Sequence, residues 1–174
     1  MSDPAAALDG LSESAARAAL ARCCGATRWV EGMLARRPFR TLQDLLRTAD
    51  EVWAAMERAD VLEAFTHHPR IGADLAGLRA KYAATADWSA GEQAGAAGAD
   101  EATLIALRDG NLAYEARYGH IFIVCATGKS AAQMLEILRS RMNNDPQKEL
   151  SIAAAEQAKI TKLRLEKLRL EEPA

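Results

Sequence analysis

Nowhere does this sequence hold an apolar run approaching the roughly 20 residues that a bilayer span needs, so no transmembrane helix is expected. The first residues, MSDPAAALDGLSES, lack the basic region and apolar stretch of a secretory leader, and no leader is expected there. Glu171-Glu172-Pro173-Ala174 is not a peroxisomal tripeptide. Only three cysteines occur in 174 residues. They cannot all pair, and Cys23 and Cys24 are adjacent, a usage that predicts a reducing compartment and a cytoplasmic protein. A formal charge of −2 supplies no basic field for nucleic acid or an anionic membrane surface. Histidines number three, and neither the pair His67-His68 nor the pair Cys23-Cys24 has the spacing of a tetrahedral zinc site, so no metal is expected. Gly128-Lys129-Ser130 imitates the tail of a phosphate-binding loop, but Ile123 stands where that motif requires its first glycine. Internal repeats and obvious linkers are missing too, which predicts a single domain over residues 1–174 with its core at about 8–170.

What is present is helical periodicity. Leu42, Leu45, Leu46, Ala49, Trp53 and Met56 fall on one helical face, with Thr41 placed to cap it. Trp29, Met33 and Leu34 predict an earlier helix ended by Pro38. A short helix from about Asp60 should stop at His68-Pro69, because proline disfavours helical geometry in its predecessor. Leu75, Leu78 and Tyr82 share a face, as do Leu104, Leu107, Asn111, Tyr114 and Tyr118, and Gly119 is placed to end that second helix. Residues 121–126 form a short apolar stretch, extended or a buried turn. Ser130 can cap a helix carrying Met134, Leu135, Leu138 and Met142. Asp145-Pro146 opens a long last helix whose apolar positions include Ile152, Ile160, Leu163 and Leu168. The Gly- and Ala-rich stretch at 91–99 reads as the loosest part, and the fold class is all-α.

Three local patterns can carry chemistry, and a fourth residue, Asn111, has a structural role. His67-His68-Pro69-Arg70-Ile71-Gly72 concentrates two of the three histidines at a helix-to-loop break. Histidine moves protons near neutral pH, and Pro69 fixes the backbone just after His68; the alternative is a pair of polar loop residues. Ser89-Ala90-Gly91-Glu92-Gln93 reads as a capping box, Ser89 serving the third helical amide and Glu92 reaching back, with Trp88 as a staple. The same helix N-terminus suits an anionic ligand, with Glu92 accepting from its hydroxyl or amide groups, and both roles stay open. Asn111, on an apolar face, is expected to hold a neighbouring loop. Arg164 follows an apolar position of the last helix and is either solvated or turned inward to offer a carboxylate its fork of donors.

Taken in order, these strings resemble the 2-oxo-4-hydroxy-4-carboxy-5-ureidoimidazoline (OHCU) decarboxylase family. The elements are His68 to Gly72, Ser89 to Gln93, Asn111-x-x-Tyr114, Tyr118 to Ile123, Arg141-x-x-Asn144 with Glu149, and Lys159-Ile160 followed by Leu163-Arg164-Leu165. Each is weak alone; six in order, spanning about residues 8–170, are specific. Tyr118, His120 and Ile121 depart from the frequent Phe-Gly-Phe-Pro pattern, and the segment between Glu92 and Tyr118 is slightly short.

The resemblance implies an all-α homodimer that removes CO2 from OHCU late in urate breakdown, without a cofactor, giving (S)-allantoin. It places the catalytic histidine on His68, the active-site glutamate on Glu92 and the active-site arginine on Arg164. Substrate contacts fall on Pro69, on Ser89, Ala90, Gly91, Glu92 and Gln93, and on a mostly backbone strip of Phe122, Ile123, Val124, Cys125 and Ala126. Two rivals stand beside it: a helical interaction domain that keeps the fold without the chemistry, and the preceding hydrolysis of 5-hydroxyisourate, which belongs to a β-rich fold.

Overall fold

The computed structural model describes residues 3–70, 75–86 and 97–168. Among them the regular structure is helical, with no strand: α1 Pro4–Asp9, α2 Glu13–Cys23, α3 Thr27–Ala35, α4 Leu42–Ala54, α5 Arg58–Thr66, α6 Leu75–Ala86, α7 Ala97–Tyr118, α8 Ala131–Arg141 and α9 Pro146–Glu166. None of these helices is long and apolar enough to cross a membrane.

The chain forms two compact units: residues 1–68 with 154–174, and residues 69–153. In the first, α1 to α5 and the later part of α9 enclose a core of Leu8, Leu20, Trp29, Met33, Leu45 and Leu165. Local chemistry sets its helix ends. The Thr41 hydroxyl accepts from the Asp44 amide at 3.1 Å, as its capping position predicted. Ala26 at the start of α3 has no capping side chain. Glu63 of α5 substitutes, accepting from the Thr27 amide at 3.1 Å and the Thr27 hydroxyl at 2.5 Å. The helix predicted from Asp60 begins at Arg58, and the Asp60 carboxylate reaches back to the Glu57 amide at 2.9 Å. Helices α1 and α2 escaped the pattern of large apolar residues, because α2 buries Ala16, Ala19, Leu20 and Cys23, mostly small side chains.

The second unit packs α6, α7 and α8 around Leu78, Leu107, Tyr114, Met134 and Leu138. Gly119 ends α7 as predicted: its φ of +76° lies in the left-handed region, and its amide closes on Glu115 O at 2.8 Å. Ser130 and Gln133 form a capping box at the start of α8, at 3.2 and 2.9 Å. The Asp145 carboxylate accepts from the amides of Gln147 and Lys148, both at 3.1 Å, to open α9. The expected loose stretch at 91–99 lies outside the described residues up to 96, and 97–99 belong to α7.

The long last helix buries a line offset from its apolar positions. Its buried positions are Glu149, Ala153, Gln157, Thr161 and Leu165, one every four residues. Ile152, Ile160, Leu163 and Leu168 flank this line and are only partly buried. Three of the five buried residues are polar, so a search for apolar periodicity selects the neighbouring positions instead.

Candidate active site

The last turn of α5 delivers His68. After Thr66 the chain tightens: the His67 amide donates to Ala64 O at 3.3 Å and the His68 amide to Phe65 O at 3.2 Å. His67 lies exposed and His68 half-buried, so of the adjacent imidazoles only His68 is drawn toward the interior. A Cβ on Gly25 would overlap the His67 ring, so the glycine permits the close approach of the α2–α3 connection to the end of α5.

The His68 ring meets α9. Its Nε2 lies 2.5 Å from Gln157 Oε1, and Gln157 Nε2 donates to Thr161 Oγ1 at 3.0 Å. Gln157 is fully buried and Thr161 nearly so. Arg164, seven residues beyond Gln157, extends the same face. It is partly buried and donates from Nη1 to Cys23 O at 3.3 Å. No carboxylate pairs with Arg164 among the described residues.

The electrostatics follow from this placement. Burial holds the His68 imidazole below its ordinary value of 6.5; the Gln157 acceptor opposes this, and the charges of Arg164 and His67 add to it. His68 is therefore neutral near pH 7 and available as a base. Burial also pushes the neighbouring Cys23 thiol up to about 11, so it stays protonated and is no nucleophile. The three cysteines are buried, and none forms a disulfide. No group of three or more His, Cys, Asp or Glu among the described residues could hold a metal ion.

In the second unit, the strip Phe122 to Ala126 has no regular structure, and residues 122–125 are buried. Two of its carbonyls are held by side chains. Ile123 O accepts from Arg141 Nη1 at 2.7 Å, and Cys125 O from Lys129 Nζ at 2.7 Å. The Arg141 guanidinium also lies over the Phe122 ring, 4.7 Å from its centroid.

Arg141 is anchored in turn by Glu149, fully buried, at 2.5 and 2.6 Å. Glu149 also accepts from the Tyr114 hydroxyl at 2.5 Å and from Asn144 Nδ2 at 3.0 Å. Burial, then the Glu149 bond, drives the Tyr114 phenol well above its usual range, so it remains a donor. The Tyr118 hydroxyl donates to Arg141 O at 2.9 Å and Asn144 O at 2.7 Å. Four residues that the sequence motifs single out, Tyr114, Arg141, Asn144 and Glu149, thus form one network behind the strip.

Among the described residues, Asn111 Nδ2 donates to Leu107 O at 2.8 Å within its own helix. Pro69 is exposed. Ser89, Ala90, Gly91, Glu92 and Gln93 lie outside the described residues, as do Trp88, Ile71 and Gly72. The structure brings His68 and Arg164 together within the first unit. It adds Gln157, which the sequence reading missed, although its spacing of seven residues from Arg164 marks it as a polar residue on the same helix face.

The model of the OHCU decarboxylase family matches residues 9–166. The uric acid degradation bifunctional protein TTL of Arabidopsis thaliana is 38% identical over 149 residues, covering 84% of this chain but only 45% of that protein. This chain therefore spans less than half of that relative's length. A 2-oxo-4-hydroxy-4-carboxy-5-ureidoimidazoline decarboxylase of Amia calva is 32% identical over 132 residues, 75% of this chain and 73% of that one. A crystal structure of OHCU decarboxylase in the presence of (S)-allantoin superposes with a TM-score of 0.67 at 35% identity, covering 85% of this chain and 94% of that one. A crystal structure of (S)-allantoin synthase reaches the same TM-score of 0.67 at 16% identity, over 92% of this chain and 52% of that one, a likeness of fold alone.

Proposed function

From its membership of the OHCU decarboxylase family, to which this chain belongs, we propose that it decarboxylates 2-oxo-4-hydroxy-4-carboxy-5-ureidoimidazoline to (S)-allantoin in urate degradation. The observation that carries the reading is the pairing of a half-buried, neutral His68 with a partly buried Arg164 that has no carboxylate partner among the described residues. Drawing a guanidinium partly out of water without a counter-ion costs free energy, and an anionic substrate would supply the missing charge.

The substrate carries its carboxylate on a ring carbon that also bears a hydroxyl. Breaking that carbon–carbon bond releases CO2 and leaves an electron pair on the ring. The conjugated ring system accepts it as an enolate-like species, so the substrate is its own electron sink and the reaction needs no cofactor. Arg164 holds the anion, and His68 moves the proton at the reacting carbons. Glu92 accepts a hydrogen bond from the substrate's polar groups, while the rest of Ser89 to Gln93, Pro69 and the backbone of Phe122 to Ala126 make further contacts, as the family resemblance implies. Delivery of the proton to one face sets a single enantiomer. Acid–base help is worth about 10²–10⁴ in rate, and fixed orientation adds more. The working protein in this proposal is a cytoplasmic homodimer without metal.

The test is turnover by exhaustively chelated, purified protein on freshly generated substrate. Undiminished CO2 release supports the reading. Activity lost to the chelator and restored by one particular metal refutes the cofactor-free mechanism.

A further inference from the structure

We propose that Gln157 is a positioning residue that holds His68 as the Nε2–H tautomer, making Nδ1 the nitrogen that exchanges protons with the substrate. This rests on the reading of His68 as the catalytic base.

A hydrogen-bond chain runs from the buried side of α9 to the His68 ring. Thr161 is nearly buried on α9, beside the Cys24 thiol. The Thr161 hydroxyl oxygen accepts from Gln157 Nε2 at 3.0 Å. That fixes the orientation of the Gln157 amide: the nitrogen faces Thr161 and Oε1 faces His68. An amide oxygen only accepts, so the His68 Nε2 at 2.5 Å must carry the proton. Nδ1 is left unprotonated, and among the described residues it has no hydrogen-bond partner.

The chemical identity of Gln157 matters as much as its place. A carboxylate there would also accept from Nε2–H, but would favour the imidazolium and hold the ring charged. A neutral amide orients the ring while leaving burial and Arg164 to keep it neutral. The three residues Gln157, Thr161 and Arg164 lie at i, i+4 and i+7 on α9, so a single helix face would set tautomer, orientation and anion affinity.

The experiment uses the full chain and three readings. First, nitrogen NMR of the ring in the unmodified protein, with the His68 signal identified by its loss in His68→Asn, should show a neutral ring protonated at Nε2 at pH 7. Second, Gln157→Glu should retain substrate binding but move the acid limb of the kcat profile upward by roughly one pH unit or more. Third, Gln157→Met, which keeps volume and removes the acceptor, should lower kcat about tenfold with little change in KM. A purely structural glutamine would move neither tautomer nor pH profile. A ring protonated at Nδ1, or an unmoved acid limb in Gln157→Glu, overturns the proposal. The NMR reading needs no substitution at Gln157, so a misfolded variant does not block the test. If His68→Asn keeps full turnover, the reading of His68 itself fails, a result distinct from any failure at Gln157.

Discussion

At the residue level, two adjacent histidines have different surroundings. His67 is exposed against Gly25, whereas His68 is half-buried against Gln157. His68→Ala should abolish turnover, while His67→Ala should retain most of it; equal losses in two folded variants would remove the assignment. The His68 environment also has a sign in stability. Its folded-state value lies below 6.5, so the unfolded chain takes up the proton first as the pH falls. The contribution of neutral His68 is thus present above about 6.5 and is lost as the pH drops through the folded value. Glu92 poses a different question, because a capping box and a substrate contact use the same residue type. Glutamine also fits the capping position, so Glu92→Gln should leave the melting temperature nearly unchanged. If Glu92 contacts substrate, turnover should fall about ten- to a hundredfold, the worth of a charged hydrogen-bond partner. Near-normal turnover would leave the cap as its whole role.

At the scale of the element, the second unit depends on one buried ion pair. Glu149 satisfies Arg141, Tyr114 and Asn144 together, and Arg141 holds both the Ile123 carbonyl and the Phe122 ring. Glu149→Ala leaves a buried guanidinium and a buried phenol without their acceptor. It should cost about 3–5 kcal/mol, read from urea unfolding; a loss below about 1 kcal/mol would mean the network does not hold the strip. The helices that sequence made legible were those with a capping residue or a stopper, such as Thr41, Ser130, Gly119 and Asp145-Pro146. Those it hid were built on small residues, as in α2, or buried polar ones, as in α9. The same blind spot concealed Gln157. Apolar periodicity rewards Ile160 and Leu163, although the buried line runs through Gln157 and Thr161, where hydrogen bonds rather than hydrophobicity compensate burial. His68 and Arg164 were legible through local strings, and their proximity within one unit was not, because 96 residues of chain separate them.

At the scale of the whole molecule, the resemblance implies a homodimer, which nothing in the composition requires. Sedimentation at micromolar concentration should return twice the chain mass; an active monomer would contradict this. The central claim is that the chain converts one short-lived anion into one enantiomer. Its most direct measurement is circular dichroism of a solution in which 5-hydroxyisourate and its hydrolase generate the substrate in the presence of this protein. The account predicts rapid growth of the (S)-allantoin signal, reduced to the uncatalysed course by His68→Ala. A signal that grows no faster than without the protein, or that ends in racemic allantoin, would contradict it.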